Sequence, residues 1–267
     1  MNKDYYKEYY HLERKNWWFT VRSKILADRI ATFLPKKPTN QNENQNQAEN
    51  QILNVGVATG ATSEMLSNFG QVMSIEYDTD CYQFTKTILK TPILQGSILD
   101  LPFEKNSYDL VCAFDVIEHV EDDQKAIDEM IRVCKSGSYV ILTVPAFMSL
   151  WGQHDVINQH FRRYTLQEIE NLFAKYQNQG NILYKTYFNS LLFPPIFVAR
   201  NLLRFVPRKS EKNRQNAGSD HSLIEEKSPI LKILENIFEV ERKMLRKNWH
   251  FPVGVSAMLV WQKNEKI

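Results

Sequence analysis

A turn of small residues, followed after twenty positions by an acidic residue, provides the clearest binding chemistry in this 267-residue chain. The turn spans residues 56–60, includes Gly56, Thr59 and Gly60, and follows a short apolar segment. A buried strand that enters a helix through such a turn leaves backbone N–H groups free for a ligand. Glu76 ends the next apolar segment, where a carboxylate can accept hydrogen bonds from two adjacent ribose hydroxyls. The spacing favours a nucleoside-containing cofactor over a surface acid at a strand end.

Two later segments extend this binding pattern. Residues 95–103 read QGSILDLPF and follow a short apolar segment at 93–95. Residues 115–119 read DVIEH and come directly after the apolar run 110–114. Because the carboxyl ends of parallel strands meet at one edge of a sheet, we expect both segments beside the glycine turn.

Strand and helix patterns alternate along most of the chain, which predicts an α/β fold with a doubly wound sheet. Several strand patterns are continuous apolar runs, as expected for strands that are buried on both faces. We predict strands at 52–55, 72–76, 93–95, 110–114, 139–144, 182–188 and 255–261. We predict helices at 62–68, 79–90, 122–134, 166–176 and 229–247, and two more within 4–34.

The composition divides the chain into three parts. Residues 1–35 carry apolar side chains at helical spacing and the aromatic run Trp17-Trp18-Phe19, so they either pack on the core or form a lid over a pocket. Residues 36–50 are almost entirely polar and read as a disordered linker. Residues 51–267 form the main domain, in which about 145–250 are mostly insertions facing a second substrate and 207–228 are a mobile loop.

Charge and hydropathy exclude several classes of protein. With 33 basic and 31 acidic residues, the chain has no polyanion-binding surplus, so nucleic acid is not expected as a partner. The N-terminus has no apolar signal-peptide core, and no segment reaches the roughly 20 apolar residues needed to span a bilayer. The three cysteines lack metal or disulfide spacing and predict reduced thiols. A cytoplasmic protein is expected.

Taken in order, these motifs resemble the class I S-adenosylmethionine-dependent methyltransferases over about residues 50–145. In that family the turn at 56–60, the acid at Glu76, the loop at 96–103 and the segment 115–119 all have counterparts. The resemblance implies S-adenosylmethionine as cofactor. It also implies a Rossmann-like, seven-stranded, mostly parallel sheet with helices on both faces and an antiparallel last strand, plus an N-terminal helical segment and a helical insertion.

The resemblance assigns a part of the cofactor to each motif. The N–H groups of the turn suit the methionine carboxylate. Glu76 suits the ribose, Tyr77 and Ile98 flank the adenine, and Ser97 reaches the adenine edge. Phe114 and Asp115 lie near the sulfonium, where in-line methyl transfer depends on positioning.

Three residues depart from the family pattern. Asn54 stands where the family usually has an acidic residue, and Ser97 stands where it often has aspartate. Alanine replaces glycine at Ala58, which the turn accommodates if φ stays negative.

The segments after the fifth strand point to the methyl acceptor. LWGQHD at 150–155 and HFRRYT at 160–165 are similar to a bacterial methyltransferase subgroup often associated with saccharide or lipid-linked acceptors. His154 and His160 are candidates for the general base that deprotonates an acceptor hydroxyl. A metal is not expected, because the sequence places no further ligand beside this His-Asp-His set.

The basic residues that follow the fifth strand can each be interpreted in two ways. Arg162 and Arg163 either bind an acceptor phosphate or carboxylate, or form ion pairs with Glu168 or Glu170. Residues 191–206, with Arg200 and Arg204 and with Arg208 just beyond them, have the pattern of a basic-edged amphipathic helix. This helix either forms a wall of an apolar substrate site or contacts a membrane surface through 190–208.

The function expected from the sequence is methyl transfer, on oxygen, to a small-molecule or lipid-linked saccharide acceptor. Two alternatives stay open: a module that binds the cofactor without turnover, and an NAD-dependent enzyme whose GxGxxG-type fingerprint is formed by Gly56, Ala58 and Ala61. The oligomeric state is not indicated by any motif.

Overall fold

The computed structural model describes residues 3–34, 49–204 and 228–265. The predicted linker at 36–50, apart from its last two residues, and the predicted mobile loop at 207–228, apart from Ser228, lie outside these ranges. Within them, no helix is long and apolar enough to cross a membrane.

Seven strands form a single sheet in the order β3-β2-β1-β4-β5-β7-β6. The strands β1 to β5 pair in parallel, and β7 is antiparallel to both of its neighbours. This confirms the predicted mostly parallel sheet with an antiparallel last strand. The strands are β1 Gln51–Val55, β2 Gln71–Glu76, β3 Ile93–Gln95, β4 Tyr108–Phe114, β5 Cys134–Pro145, β6 Gly180–Phe188 and β7 Ser256–Lys263.

Helices lie on both faces of the sheet, as the alternation predicted. Two of them, α1 Lys3–Lys15 and α2 Trp17–Phe33, precede the sheet and are separated by the N-cap Asn16, whose side chain accepts the N–H of Trp18. The others are α3 Ala61–Leu66, α4 Thr79–Ile88, α5 Asp123–Val133, α6 Gln153–Ile157, α7 Leu166–Phe173, α8 Phe193–Arg204 and α9 Pro229–Arg246.

The two faces of the sheet bury separate apolar cores. On one face, α5 and α7 cover the central strands with residues such as Ile127 and Phe173. On the other face, α2 and α9 pack together over the sheet with Leu26 and Phe238. Because burial removes these side chains from water, each contributes roughly 1.5–3 kcal/mol of hydrophobic stabilisation. The two cores fix the carboxyl edge of the sheet, where the candidate site lies.

Candidate functional site

The glycine turn is held against the end of β2. Gly56 has φ +67° and its N–H donates to the carbonyl oxygen of Ile75 over 2.8 Å. A Cβ on Gly56 would lie 2.5 Å from Cγ2 of Val116, so both the backbone conformation and the packing require glycine. Gly60, with φ +89°, closes the turn by donating its N–H to the carbonyl of Val57.

Ala58 adopts a left-handed conformation, with φ +47°. The condition of a negative φ at this residue, under which the turn would accommodate alanine, is therefore not met. For a residue with a Cβ this conformation costs about 1–2 kcal/mol. The strain is offset locally, because the N–H of Ala58 donates to Oε2 of Glu76 over 2.9 Å.

Glu76 ends β2 beside the turn, at the position that the sequence indicated. Its second carboxylate oxygen, Oε1, accepts the N–H of Asp78 over 2.9 Å. The side chain is buried, and burial raises the pKa of Glu76. Each carboxylate oxygen has a second lone pair, so Glu76 fixes the turn and retains acceptor capacity for ribose hydroxyls.

Asn54 lies behind the turn and stabilises it through hydrogen bonds. Its Nδ2 donates to the hydroxyls of Thr62 over 2.8 Å and Ser63 over 2.9 Å. The residue is buried, so its amide ties the end of β1 to the first turn of α3 without burying a charge.

The residues assigned to adenine differ in exposure. Tyr77 is 75% exposed, while Ile98 is 4% exposed and packs in the core. The hydroxyl oxygen of Ser97 accepts the N–H of Leu99 over 3.1 Å, which orders the loop. Ile98 therefore also supports the fold, whereas Tyr77 presents its ring to solvent beside Glu76.

Asp115, at the end of β4, belongs to a partly buried charge pair that the sequence did not identify. It has φ +58°, and its carboxylate accepts Nη2 of Arg22 over 2.7 Å and the hydroxyl of Thr143 over 3.0 Å. Arg22 comes from α2 and is buried. Phe114, the preceding residue, is buried in the apolar core under α2. The N-terminal segment thus supplies a residue to the sheet edge.

Helix α1 covers the glycine turn directly. The hydroxyl of Thr59 donates to Oε2 of Glu13, and Nη2 of Arg14 donates to the carbonyl of Thr59 over 3.1 Å. Tyr6 donates its hydroxyl to Oδ1 of Asp78 over 2.8 Å, beyond Glu76. Burial raises the pKa of Glu13 from 4.5 to about 7, against the lowering effect of its bond to Thr59 and of two arginines.

On the acceptor side, His160 is held by a buried carboxylate. Its Nδ1 lies 2.9 Å from Oδ1 of Asp155, which also accepts Nε of Arg163 over 2.7 Å. The other oxygen of Asp155 accepts the N–H of Gly152. These bonds and the charge of Arg163 lower the pKa of Asp155 against the effect of burial. His154 lies next to His160, with ring centroids 5.9 Å apart.

The segment after β4 reaches the same histidine. The rings of His119 and His160 are 4.5 Å apart and nearly perpendicular. Glu118 is fully buried, and neither of its carboxylate oxygens has a hydrogen-bond partner among the described residues. Burial and the charge of Asp115 raise the pKa of Glu118 well above its ordinary value. The structure therefore gives His160 two potential co-ligands that the sequence did not place there.

Arg162 and Arg163 both form ion pairs, but with other partners than expected. Arg162 donates to Asp123 over 2.8 Å, and Arg163 donates to Asp155. Glu168 instead caps α7 in a capping box with Thr165. Glu170 pairs with Lys185.

This sheet order, with a glycine turn after β1 and an acid at the end of β2, defines a Rossmann-like fold. Residues 53–142 match the family model described as a methyltransferase domain. The YcgJ protein of Bacillus subtilis has a similar fold, with a TM-score of 0.52, 16% identity and coverage of 92% of this chain and 99% of that one.

Two curated relatives agree with the domain match. A "probable S-adenosylmethionine-dependent methyltransferase" of Mycolicibacterium smegmatis is 24% identical over 50% of this chain and 48% of its own length. The demethylmenaquinone methyltransferase of Staphylococcus aureus is 26% identical over 49% of this chain and 56% of its own length. The chain thus spans about half the length of these relatives. These matches support a methyltransferase domain over residues 53–142 and imply S-adenosylmethionine as its cofactor.

Proposed function

We propose that the chain transfers a methyl group from S-adenosylmethionine to an oxygen atom of a small-molecule or lipid-linked saccharide acceptor. The observation that carries the proposal is the placement of Glu76 against the turn at 56–60, with Asp115 at the end of β4 on the same sheet edge. In this arrangement Glu76 accepts the ribose hydroxyls, and the N–H groups of the turn face the methionine end of the cofactor.

The remaining cofactor contacts follow from exposure and chain position. Tyr77 stacks on the adenine from the solvent side, and Ile98 closes the opposite side. Ser97 meets the adenine edge through its hydroxyl. Asp115 and Phe114 lie beside the sulfonium, with Asp115 oriented by Arg22 and Thr143.

Residues 1–35 act as a lid in this proposal. Tyr6, Glu13 and Arg14 of α1 bond to residues on both sides of the cofactor turn. A lid that excludes water strengthens electrostatic interactions with the charged methionine end of the cofactor. Glu13 is then placed to attract the cofactor's ammonium group.

Apolar surface on the acceptor side supports an acceptor with a large apolar part. Exposed apolar side chains flank the two histidines along the chain, and others lie on or before α8: Met148, Val156, Ile157, Phe161, Leu191, Phe197 and Val198. A contiguous exposed apolar patch marks a binding site more often than scattered apolar residues do, and these residues are close together along the chain. The name of the relative demethylmenaquinone methyltransferase supports a small-molecule acceptor. We also propose that 190–208 contacts a membrane surface when the acceptor is lipid-linked.

The transfer needs a base and a fixed geometry. One of His154 and His160 takes the acceptor hydroxyl proton, and the oxygen attacks the methyl carbon as the carbon–sulfur bond breaks. The sulfur keeps the bonding electron pair, so S-adenosylhomocysteine leaves as a neutral thioether. Holding the two substrates in line supplies much of the lowering of the barrier.

Calorimetric titration with S-adenosylmethionine tests the cofactor site. We expect the wild-type chain to bind and Glu76→Ala to bind roughly 10- to 100-fold more weakly, because charge-assisted hydrogen bonds of about 1.5–3 kcal/mol are lost. Glu104→Ala, which removes an exposed carboxylate, is the matched control and should bind normally. Ser97→Ala, which leaves Glu76 and the turn intact, should weaken binding by about 5-fold.

Transfer of labelled methyl from the cofactor into an extract of the native cell, with mass identification of the product, tests turnover. A labelled product whose new carbon–oxygen bond appears in its fragments supports the proposal. Cofactor binding without any labelled product would indicate a module without turnover. Thermal stabilisation by NAD instead of S-adenosylhomocysteine would overturn the cofactor assignment.

A further inference from the structure

Glu118, His119 and His160 form a cluster at the carboxyl edge of the sheet, which we call the EHH cluster. Each residue offers one ligand atom, and these atoms lie within 4.8 Å of one another. We propose that the EHH cluster binds a divalent transition-metal ion of the Zn²⁺ type. The proposal deepens the proposed function, because it assigns His160 a role in the same site.

The buried carboxylate of Glu118 is the main evidence for a bound ligand. A buried carboxylate without hydrogen bonds is costly, and natural proteins almost always pair such a group or use it to coordinate a metal. Neither Glu118 oxygen has a hydrogen-bond partner in the part of the chain that the structure describes, although the side chain is fully buried. The nearby arginines Arg22 and Arg163 donate to Asp115 and Asp155 instead. A cation beside Glu118 would satisfy the carboxylate.

His160 has the surroundings of a metal ligand. Nδ1 of His160 lies 2.9 Å from Oδ1 of Asp155, and in the tautomer that donates from Nδ1 the other ring nitrogen, Nε2, can bind a metal. Metal-binding histidines commonly donate their other ring N–H to a carboxylate in this way. Asp155 is itself fixed by Arg163 and by the N–H of Gly152, so the ring orientation is set by a rigid buried group.

The donor set indicates which kind of metal fits. Two imidazoles with one carboxylate suit Zn²⁺ and similar ions, whereas Mg²⁺ prefers oxygen ligands. With bonds of about 2.0–2.1 Å, tetrahedral ligand atoms lie about 3.4 Å apart. The ligand atoms of the EHH cluster lie within 4.8 Å of one another, so metal binding requires the side chains to move closer together. His119 is exposed, which gives an ion an entry path and leaves open positions for another ligand.

The location of the cluster suggests what the metal does. Glu118 and His119 follow Asp115 by three and four residues, so the ion would lie near the methyl-donor end of the cofactor. A bound metal polarises a hydroxyl oxygen and lowers its pKa. The acceptor hydroxyl then loses its proton to His154, and its oxygen attacks the methyl carbon while sulfur keeps the electrons of the broken bond. His160 acts through the metal in this scheme.

Cobalt titration of the metal-free full chain tests the site, because Co²⁺ often replaces Zn²⁺ and its spectrum reports its ligands. We expect one Co²⁺ per chain, with visible absorption that Zn²⁺ abolishes on displacement. Glu118→Gln and His160→Ala should each weaken Co²⁺ binding at least about 100-fold, since each removes one of three protein ligands. His250→Ala, which removes an exposed histidine outside the cluster, should bind like the wild type.

Asp155→Asn keeps all three ligands and removes the charge that orients His160 and pairs with Arg163. It should weaken Co²⁺ binding about 10- to 100-fold, and it guards against a ligand variant that fails to fold. Absence of Co²⁺ and Zn²⁺ binding by the folded wild type would overturn the metal site, as would equal binding by Glu118→Gln, His160→Ala and the wild type. Cofactor titration of the same samples separates this failure from a failure of the proposed function.

Discussion

Several buried carboxylates lie at the carboxyl edge of the sheet, and they differ in their hydrogen-bond partners. Glu76 accepts two backbone N–H groups, and Asp155 accepts an arginine, a histidine and a backbone N–H. Glu118 accepts no hydrogen bond from any residue within 3–34, 49–204 or 228–265, and Glu13 accepts the hydroxyl of Thr59. Because a buried carboxylate without hydrogen bonds is costly, Glu118 is expected to gain more from a bound cation than Glu13, Glu76 or Asp155.

Glu13 should make the stability of the protein depend on pH. Its pKa is about 7 in the folded chain and ordinarily 4.5, so the folded state binds more protons between these values. The stabilising contribution of protonated Glu13 is complete below pH 4.5 and is lost as the pH rises through 7. We expect Glu13→Gln to have a flatter profile of melting temperature between pH 5 and pH 8 than the wild type.

The measurement is a series of thermal melts at constant ionic strength, analysed as the difference between variant and wild type. Other buried acids contribute equally to both proteins, so they cancel in the difference. Glu8→Gln, on the exposed side of α1, is the control and should follow the wild-type profile. A Glu13→Gln profile parallel to the wild type at every pH would show that Glu13 keeps its ordinary pKa.

At the scale of elements, α1 is attached to the cofactor turn by a few polar contacts. Arg14 stacks on Tyr10 within its own helix and reaches both Thr59 and Glu64. Tyr6 adds a bond to Asp78 at the start of α4 and packs on Phe84. Helix α2, by contrast, buries a row of apolar residues under α9 and the sheet. Opening of α1 should therefore cost far less free energy than opening of α2.

Arg14→Ala should loosen α1 without unfolding the sheet. The variant loses its hydrogen bonds to the Thr59 carbonyl and to Glu64, a loss of about 1 kcal/mol or more. We expect faster amide hydrogen exchange within 3–15 and release of S-adenosylhomocysteine that is faster by about 5-fold. Stopped-flow release and exchange mass spectrometry measure the two effects.

Lys7→Ala provides the matched control, because Lys7 is exposed on the same helix. It should leave both rates unchanged. Unchanged exchange and release in Arg14→Ala would contradict the role of α1 as a lid over the turn.

At the scale of the whole molecule, the two ends of the chain stabilise each other. Strand β7 is inserted between β5 and β6, so the last strand completes the sheet from its interior. Helix α9 packs against α2, which joins residues near the C-terminus to the N-terminal segment. Because contacts so distant in sequence form the core, the domain should unfold as one cooperative unit.

Trp261→Ala tests this cooperativity. Trp261 on β7 is 1% exposed and lies so close to β6 that a Cβ on Gly180 would meet its ring at 2.1 Å. Loss of a buried tryptophan should lower the free energy of unfolding by about 3–5 kcal/mol. Urea unfolding followed by circular dichroism and by fluorescence should give coincident transitions at a lower midpoint.

Trp249→Ala removes a tryptophan that is 54% exposed, and its midpoint should stay close to that of the wild type. Separate transitions for the two probes in the wild type would contradict a single cooperative unit.

The cofactor half of the site was largely readable from the sequence. Strand periodicity and the glycine turn place Gly56 and Glu76 at neighbouring strand ends, because parallel strands end at a common edge. The two N-terminal helices and the seven strands were predicted by the same local patterns. The left-handed conformation of Ala58 was not predicted. It depends on a hydrogen bond from the N–H of Ala58 to Glu76, and sequence spacing does not reveal that bond.

The arrangement of the residues on the acceptor side of the site depends on the tertiary structure. The sequence determined that His154 and His160 follow β5, since strand order and polarity are local properties. It could not determine that His119, more than 40 positions earlier, lies against His160, or that Glu13 and Arg22 cross from the N-terminal helices to the turn and to Asp115. Those contacts depend on which helix faces pack together and on which strand lies beside which, and only the folded chain sets these distances.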